Sequence, residues 1–134
     1  MITREADYAV RIVARLAAEP RGAPLSSTSL ARETGIPYRF LRKIVRRLGK
    51  AGILRSARGR EGGVALRRRP AKITLLDAIQ AVDARGARVN LCVLQPDPCP
   101  RSRDCRAHVA FERIQAALTR ELAKVSFQSI AQDD

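Results

Sequence analysis

The stretch PYRFLRKIVRRLGKAGILRSARGREGGVAL, residues 37–66, decides the fold. Within it Phe40, Leu41, Ile44, Val45 and Leu48 recur at helical spacing as one apolar stripe. Pro37 suits the first helical position, and Gly52 sits where a helix commonly stops. The opposite face is Arg39, Arg42, Lys43, Arg46, Arg47 and Lys50. Ile53-Leu54-Arg55-Ser56 then reads as a strand, Arg58-Gly59-Arg60-Glu61-Gly62-Gly63 as a glycine-rich turn and Val64-Ala65-Leu66 as the returning strand. Immediately upstream, Ser26 or Ser27 can cap a short helix with Leu30 and Ala31 facing inward, ended by Gly35. A short helix, a tight turn at Gly35-Ile36, a basic-faced helix and a basic hairpin together make a winged helix-turn-helix.

Working outward, Thr3 can cap a first helix whose opening turn carries Glu5 and Asp7, with Ala9, Val10, Val13, Leu16 and Ala17 on one face before Pro20. Thr74 and Asp77 form a capping-box pattern ahead of Leu75, Leu76, Ala78, Ile79 and Val82, so a fourth helix closes the domain near Asp83. Residues 84–104 lose periodicity, contain Pro96, Pro98 and Pro100, and read as a loop. Beyond them Phe111, Ile114, Leu118, Leu122 and Val125 form a stripe on a helix of about 20 residues, a rod of about 30 Å. A second copy of that helix would cover the stripe, which predicts a two-fold homodimer; the alternative is a helix folded back on its own core. The expected architecture is mainly α with a small β-hairpin wing. It divides into a DNA-binding domain over 1–83, a cysteine-bearing loop over 84–108, and a dimerisation helix with tail over 109–134.

The charge supports that division. Residues 1–72 hold 18 Lys/Arg and 5 Asp/Glu, a net of +13, whereas 73–134 hold 8 of each. Such a one-sided field calls for an anionic partner. With five aromatic residues in 134, stacking platforms for single strands are few, and double-stranded DNA is the expected partner. Arg39, Arg42, Lys43 and Arg46 are placed for base readout in the major groove, Arg58 and Arg60 at the hairpin tip for the minor groove, and Arg67, Arg68, Arg69 and Lys72 for phosphates.

Other classes are excluded by composition. The chain is 46% hydrophobic with a mean hydropathy of −0.20, which rules out a disordered tract. No run approaches the ~18 apolar residues of a membrane span and no secretory signal is legible, so no membrane association and a cytoplasmic location are expected. The glycine-rich turn lacks the Gly-Lys-Ser/Thr ending of a P-loop, and the sole histidine, His108, belongs to no legible catalytic set. The chain is not expected to be an enzyme.

Cys92, Cys99, Cys105 and His108 follow one another at intervals of six, five and two intervening residues. Thiolates and a neutral imidazole bind soft and borderline metals. These intervals are wider than the Cys-x-x-Cys knuckles of most zinc sites and suit a cluster, whose irons span more space than one ion. A reversible disulfide switch, zinc and inert cysteines are the other readings of the same residues.

Several segments together resemble the bacterial Rrf2 family of winged-helix regulators, among them IscR-like and NsrR-like members. They are Asp7-Tyr8-Ala9-Val10-Arg11, Leu30-Ala31 with Gly35-Ile36, Phe40-Leu41 with Ile44 and Leu48, Gly52-Ile53-Leu54, Arg58-Gly59 with Gly62-Gly63, Ile79-Gln80-Ala81-Val82, and the three cysteines before the long helix. The resemblance implies a homodimer held by the C-terminal helices, with an iron-sulfur cluster near the interface whose state alters DNA binding. An IscR-like pattern maps its histidine onto His108 and implies a [2Fe-2S] cluster. An NsrR-like pattern maps an acid onto Asp7 of the partner subunit and implies [4Fe-4S]; of the two, [2Fe-2S] is favoured. The first cysteine interval is six where the family has five, and Arg42 stands where IscR-like members read bases with an acid, so no operator preference is carried over. The expected function is a homodimeric transcriptional repressor sensing redox state, nitric oxide or iron-sulfur status. Its alternatives are a cluster-free thiol switch of the same fold and a basic architectural DNA-binding protein.

Overall fold

The computed structural model describes residues 2–57, 62–90, 93, 99–101 and 103–132. Helix α1 (Arg4–Ala17) starts where the Thr3 side chain accepts a hydrogen bond from the Ala6 amide. It buries Ala6, Ala9, Ile12, Val13 and Leu16. Helix α2 (Ser27–Thr34) is capped by Ser26 and ends on Gly35, which adopts the left-handed conformation (φ 73°) that closes helices cheaply only for glycine. Arg15 clamps Glu19 and Glu33 at 2.8 Å each, linking α1 to α2; the hydrogen bond it donates to Glu19 is the chief cause of its raised guanidinium pKa.

Helix α3 (Tyr38–Lys50) buries Leu41, Ile44, Val45 and Leu48 against α1 and α4 (Leu75–Val82). Two details differ from the sequence reading. Pro37 stands one position earlier, as the N-cap, where its carbonyl receives the Leu41 amide at 2.9 Å. Phe40 leaves the stripe: it is 44% exposed, because the face buried through Leu41, Ile44, Val45 and Leu48 is centred about 90° of helix rotation away.

Strands β1 (Leu54–Ala57) and β2 (Gly63–Leu66) pair antiparallel, with Leu54 opposite Leu66 and Ala57 opposite Gly63. Leu25 joins them through a reciprocal pair of backbone bonds with Val64, 2.9 and 2.7 Å. Gly63 is obligatory here: φ is 153°, and a Cβ would collide with the Leu25 carbonyl. The turn residues Arg58, Gly59, Arg60 and Glu61 lie outside the described residues. Thr74 and Asp77 make the expected capping box at α4.

The C-terminal part holds what the sequence did not announce. Helix α5 (Arg106–Lys124) packs along α4, and a further helix, α6 (Phe127–Gln132), returns to the winged helix. The Phe127 side chain is fully buried among the α1 and α4 core residues, and the backbone is stitched on both sides: Phe127 N–H to Ile73 C=O, and Leu75 N–H to Val125 C=O, each 2.9 Å. Burying a phenylalanine contributes about 1.5–3 kcal/mol, so the tail is part of the core that supports α3.

The long stripe is only half covered. Phe111, Leu118, Leu122 and Val125 are half-buried and Ile114 is 51% exposed, while Gln115 is the buried polar residue among those described. The expected rod is present, partly folded back on its own domain.

Candidate nucleic-acid interface and cysteine segment

Arg39, Arg42, Lys43 and Arg46 all lie on the exposed face of α3, as the spacing requires. The structure adds aromatic partners for two of them. Arg42 donates to the Tyr38 hydroxyl at 3.1 Å with its guanidinium 5.9 Å from the ring centroid, and Arg39 lies 5.7 Å from the Phe40 ring. Tyr38 (48% exposed) and Phe40 therefore pre-order cationic side chains on the exposed face of α3. Sequence reasoning missed the Arg39–Phe40 pair because it placed Phe40 in the apolar stripe; the i, i+4 spacing of Tyr38 and Arg42 was the available signal for the other.

A groove of about 490 Å³ runs between α3 and the hairpin, with Arg42, Val45, Arg46 and Gly49 on one wall and Ser56, Ala57, Gly63 and Val64 on the other. Arg58 and Arg60, expected at the hairpin tip, lie outside the described residues. Arg67, Arg68 and Arg69 are exposed at the opposite, Leu54–Leu66 end of the hairpin, where with Arg21 they line a separate cavity of about 370 Å³. Lys72 is exposed on the 3-10 turn Pro70–Lys72. Arg47, on the same outer face, makes an intramolecular contact: its Nη1 donates to the Val82 carbonyl at 2.9 Å, tying α3 to the last turn of α4.

The segment after α4 is held from its other side. Gln115 of α5 accepts the Val89 amide at 3.0 Å and donates to the Ala87 carbonyl at 2.8 Å and the Thr119 hydroxyl at 3.2 Å. A glutamine inside an apolar stripe gave no sign of this, because its partners are backbone atoms 26 and 28 residues away. Residues 82–89 are thus pinned between α3, through Arg47, and α5, through Gln115.

Cys105 is the N-cap of α5 and half-buried; its carbonyl receives the His108 amide at 3.1 Å, so the thiol and the imidazole share the first turn. His108 Nε2 lies 2.9 Å from Glu112 Oε1, and His108 Nδ1 is buried without a hydrogen-bond partner. Cys99 is half-buried, and Cys92 lies outside the described residues. Asp7 is placed elsewhere in the chain, in the first turn of α1, paired with Arg11 at 2.7 Å. Among the described residues no three His, Cys, Asp or Glu side chains form a metal-sized group, and no helix is long and apolar enough to cross a membrane.

A helix-turn-helix with a hairpin wing and a cation-lined groove between them define the winged-helix class of DNA-binding proteins. The chain belongs to the Rrf2 family, described as iron-dependent transcriptional regulators, whose profile matches residues 2–133. It is 32% identical over 121 residues to an rrf2-like HTH-type transcriptional regulator of Rhodobacter capsulatus, spanning 85% of this chain and 81% of that one. It is 26% identical over 132 residues to the regulator NsrR of Geobacillus kaustophilus, spanning 98% and 90%. Among solved structures, CymR, the global cysteine regulator of B. subtilis, superposes with a TM-score of 0.78 at 27% identity, covering 100% of this chain and 98% of that one.

Proposed function

We propose that the chain is a homodimeric, cytoplasmic repressor that reads a pseudo-palindromic duplex and carries an iron-sulfur cluster on Cys92, Cys99 and Cys105, with His108 as the fourth ligand. The observation that carries the cluster reading is the His108 ring: a buried nitrogen with no partner, one helical turn from the half-buried Cys105. Buried polar atoms are nearly always satisfied, and an imidazole nitrogen with a free lone pair beside a thiol is a metal donor. The family description supports iron. Asp7 is the weaker candidate because Arg11 already engages it.

A bound cluster would supply iron–thiolate chemistry responsive to oxidants, nitric oxide and iron-sulfur supply. The chain's own residues then connect that place to DNA. Cys105 and His108 open α5, Gln115 two turns on grips Ala87 and Val89, and Arg47 binds Val82 from the recognition helix. A shift of α5 therefore acts on α3 through two named contacts, and the spacing of two such helices sets whether half-sites about one helical turn apart are engaged. Exposed Ile114 beside half-buried Phe111 and Leu118 supports the α5 face as the dimer contact. Arg39, Arg42, Lys43 and Arg46, with Arg58 and Arg60 from the wing, carry base readout, and Arg68 holds phosphate.

An anaerobic preparation tests this reading. It should be brown, with visible absorbance and acid-labile sulfide, and should protect a palindrome at ~150 mM salt, where purely electrostatic contacts weaken steeply. Colourless protein free of iron and zinc that still protects the palindrome would establish the cluster-free thiol switch, and uniform coverage of any duplex would establish an architectural protein.

A further inference from the structure

We infer that Glu112 is a positioning residue that fixes the His108 ring so that Nδ1, and not Nε2, is the nitrogen offered to iron. The inference rests on the cluster reading above and adds to it the donor atom and the group that selects it. Glu112 lies one turn beyond His108 on α5, and its Oε1 is 2.9 Å from His108 Nε2. A carboxylate oxygen only accepts, so the ring proton must sit on Nε2. In the neutral ring Nδ1 then keeps its lone pair.

The surroundings of the two nitrogens differ in the same sense. Nε2 is bonded to a carboxylate whose side chain is 59% exposed; the His108 side chain is only 13% exposed, and Nδ1 is buried without a hydrogen-bond partner. A histidine serving merely as a helix-start residue would turn its unsatisfied nitrogen to water, since a buried polar atom without a partner is destabilising. A ring clamped by a carboxylate at one nitrogen, with the other directed inward, is the arrangement by which outer carboxylates orient metal-binding imidazoles.

The test uses full-length protein with 15N-labelled histidine, whose single histidine makes the spectrum unambiguous. In metal-free anaerobic protein, long-range 1H–15N correlation should show the Nε2–H tautomer in the wild type and in Glu112→Gln, whose amide oxygen still accepts, and a tautomer mixture in Glu112→Ala. After loading with ferrous iron and sulfide, pulsed EPR of the reduced protein should detect nitrogen coupled to the cluster. Glu112→Ala should surrender iron to a chelator roughly tenfold faster or more, with Glu112→Gln restoring the wild-type rate. An Nδ1–H tautomer in the wild type, or an alanine variant with unchanged tautomer and unchanged iron loss, overturns the inference. A wild-type chain that takes up no iron refutes the cluster reading and the ligand half of the inference, whereas the tautomer, measured without iron, judges the part played by Glu112 by itself.

Discussion

Replacing Gln115 by leucine should loosen the 82–89 segment while leaving the winged helix folded. Leucine fits the surrounding stripe in size and polarity, so the loss is confined to hydrogen bonds. Two backbone groups are stranded: the carbonyl of Ala87, a residue 5% exposed, and the amide of Val89. Each unsatisfied buried group costs about 1–3 kcal/mol. Because Val89 is half-buried, the two groups together take the lower half of that range, about 3 kcal/mol; the added apolar burial returns about 1 kcal/mol, and the net expectation is a loss of about 2 kcal/mol. At a tenfold change per 1.4 kcal/mol, that is about 30-fold in local opening. Hydrogen exchange of the Val89 amide in metal-free protein reads this directly, because that amide donates to Gln115 Oε1. A urea melt gives the global figure. Unchanged Val89 exchange together with a stability within about 0.5 kcal/mol of the wild type would show that Gln115 does not hold the segment, and the mechanical link from α5 to α4 would fall with it.

Further outcomes follow from the same geometry. Phe127→Ala should cost about 3–5 kcal/mol in a urea melt, a large share of the ~5–15 kcal/mol of a typical domain; a loss under 1 kcal/mol would detach the tail from the core. Arg42→Ala should flatten base preference in a competition binding assay, and Arg68→Ala should weaken all sequences alike; the reverse pattern would exchange their assigned roles. Ile114→Glu should shift sedimentation from dimer to monomer at micromolar concentration, and a dimer that persists would move the contact off that face of α5.

The elements that position the DNA-reading face were legible because their signals are local. Ser26, Gly35, Thr74 and Asp77 each act within one helical turn, and the Leu41–Ile44–Leu48 periodicity needs no knowledge of what lies opposite. Phe40 was misplaced in the stripe, and the Arg47 contact stayed unseen because a helix face says nothing of what a long side chain reaches; the Arg47 partner is 35 residues away. The role of α6 was illegible for a different reason. Phe127 and Ile130 are isolated large apolar residues in a short polar tail, and the backbone bonds that this tail makes with Ile73 and Leu75 are what bring it to the core. Among the candidate ligands, the sequence showed the Cys105–His108 spacing but not which ring nitrogen is buried, because that depends on Glu112.

Iron held at the start of α5 should govern the grip of α3 on DNA. The direct measurement is the affinity of one anaerobic preparation for its footprinted operator at ~150 mM salt, before and after titration with ferrous iron and sulfide. A change of about tenfold or more, equivalent to at least ~1.4 kcal/mol of coupling, is the predicted result. Equal affinities, in protein shown to have taken up the iron, would contradict it.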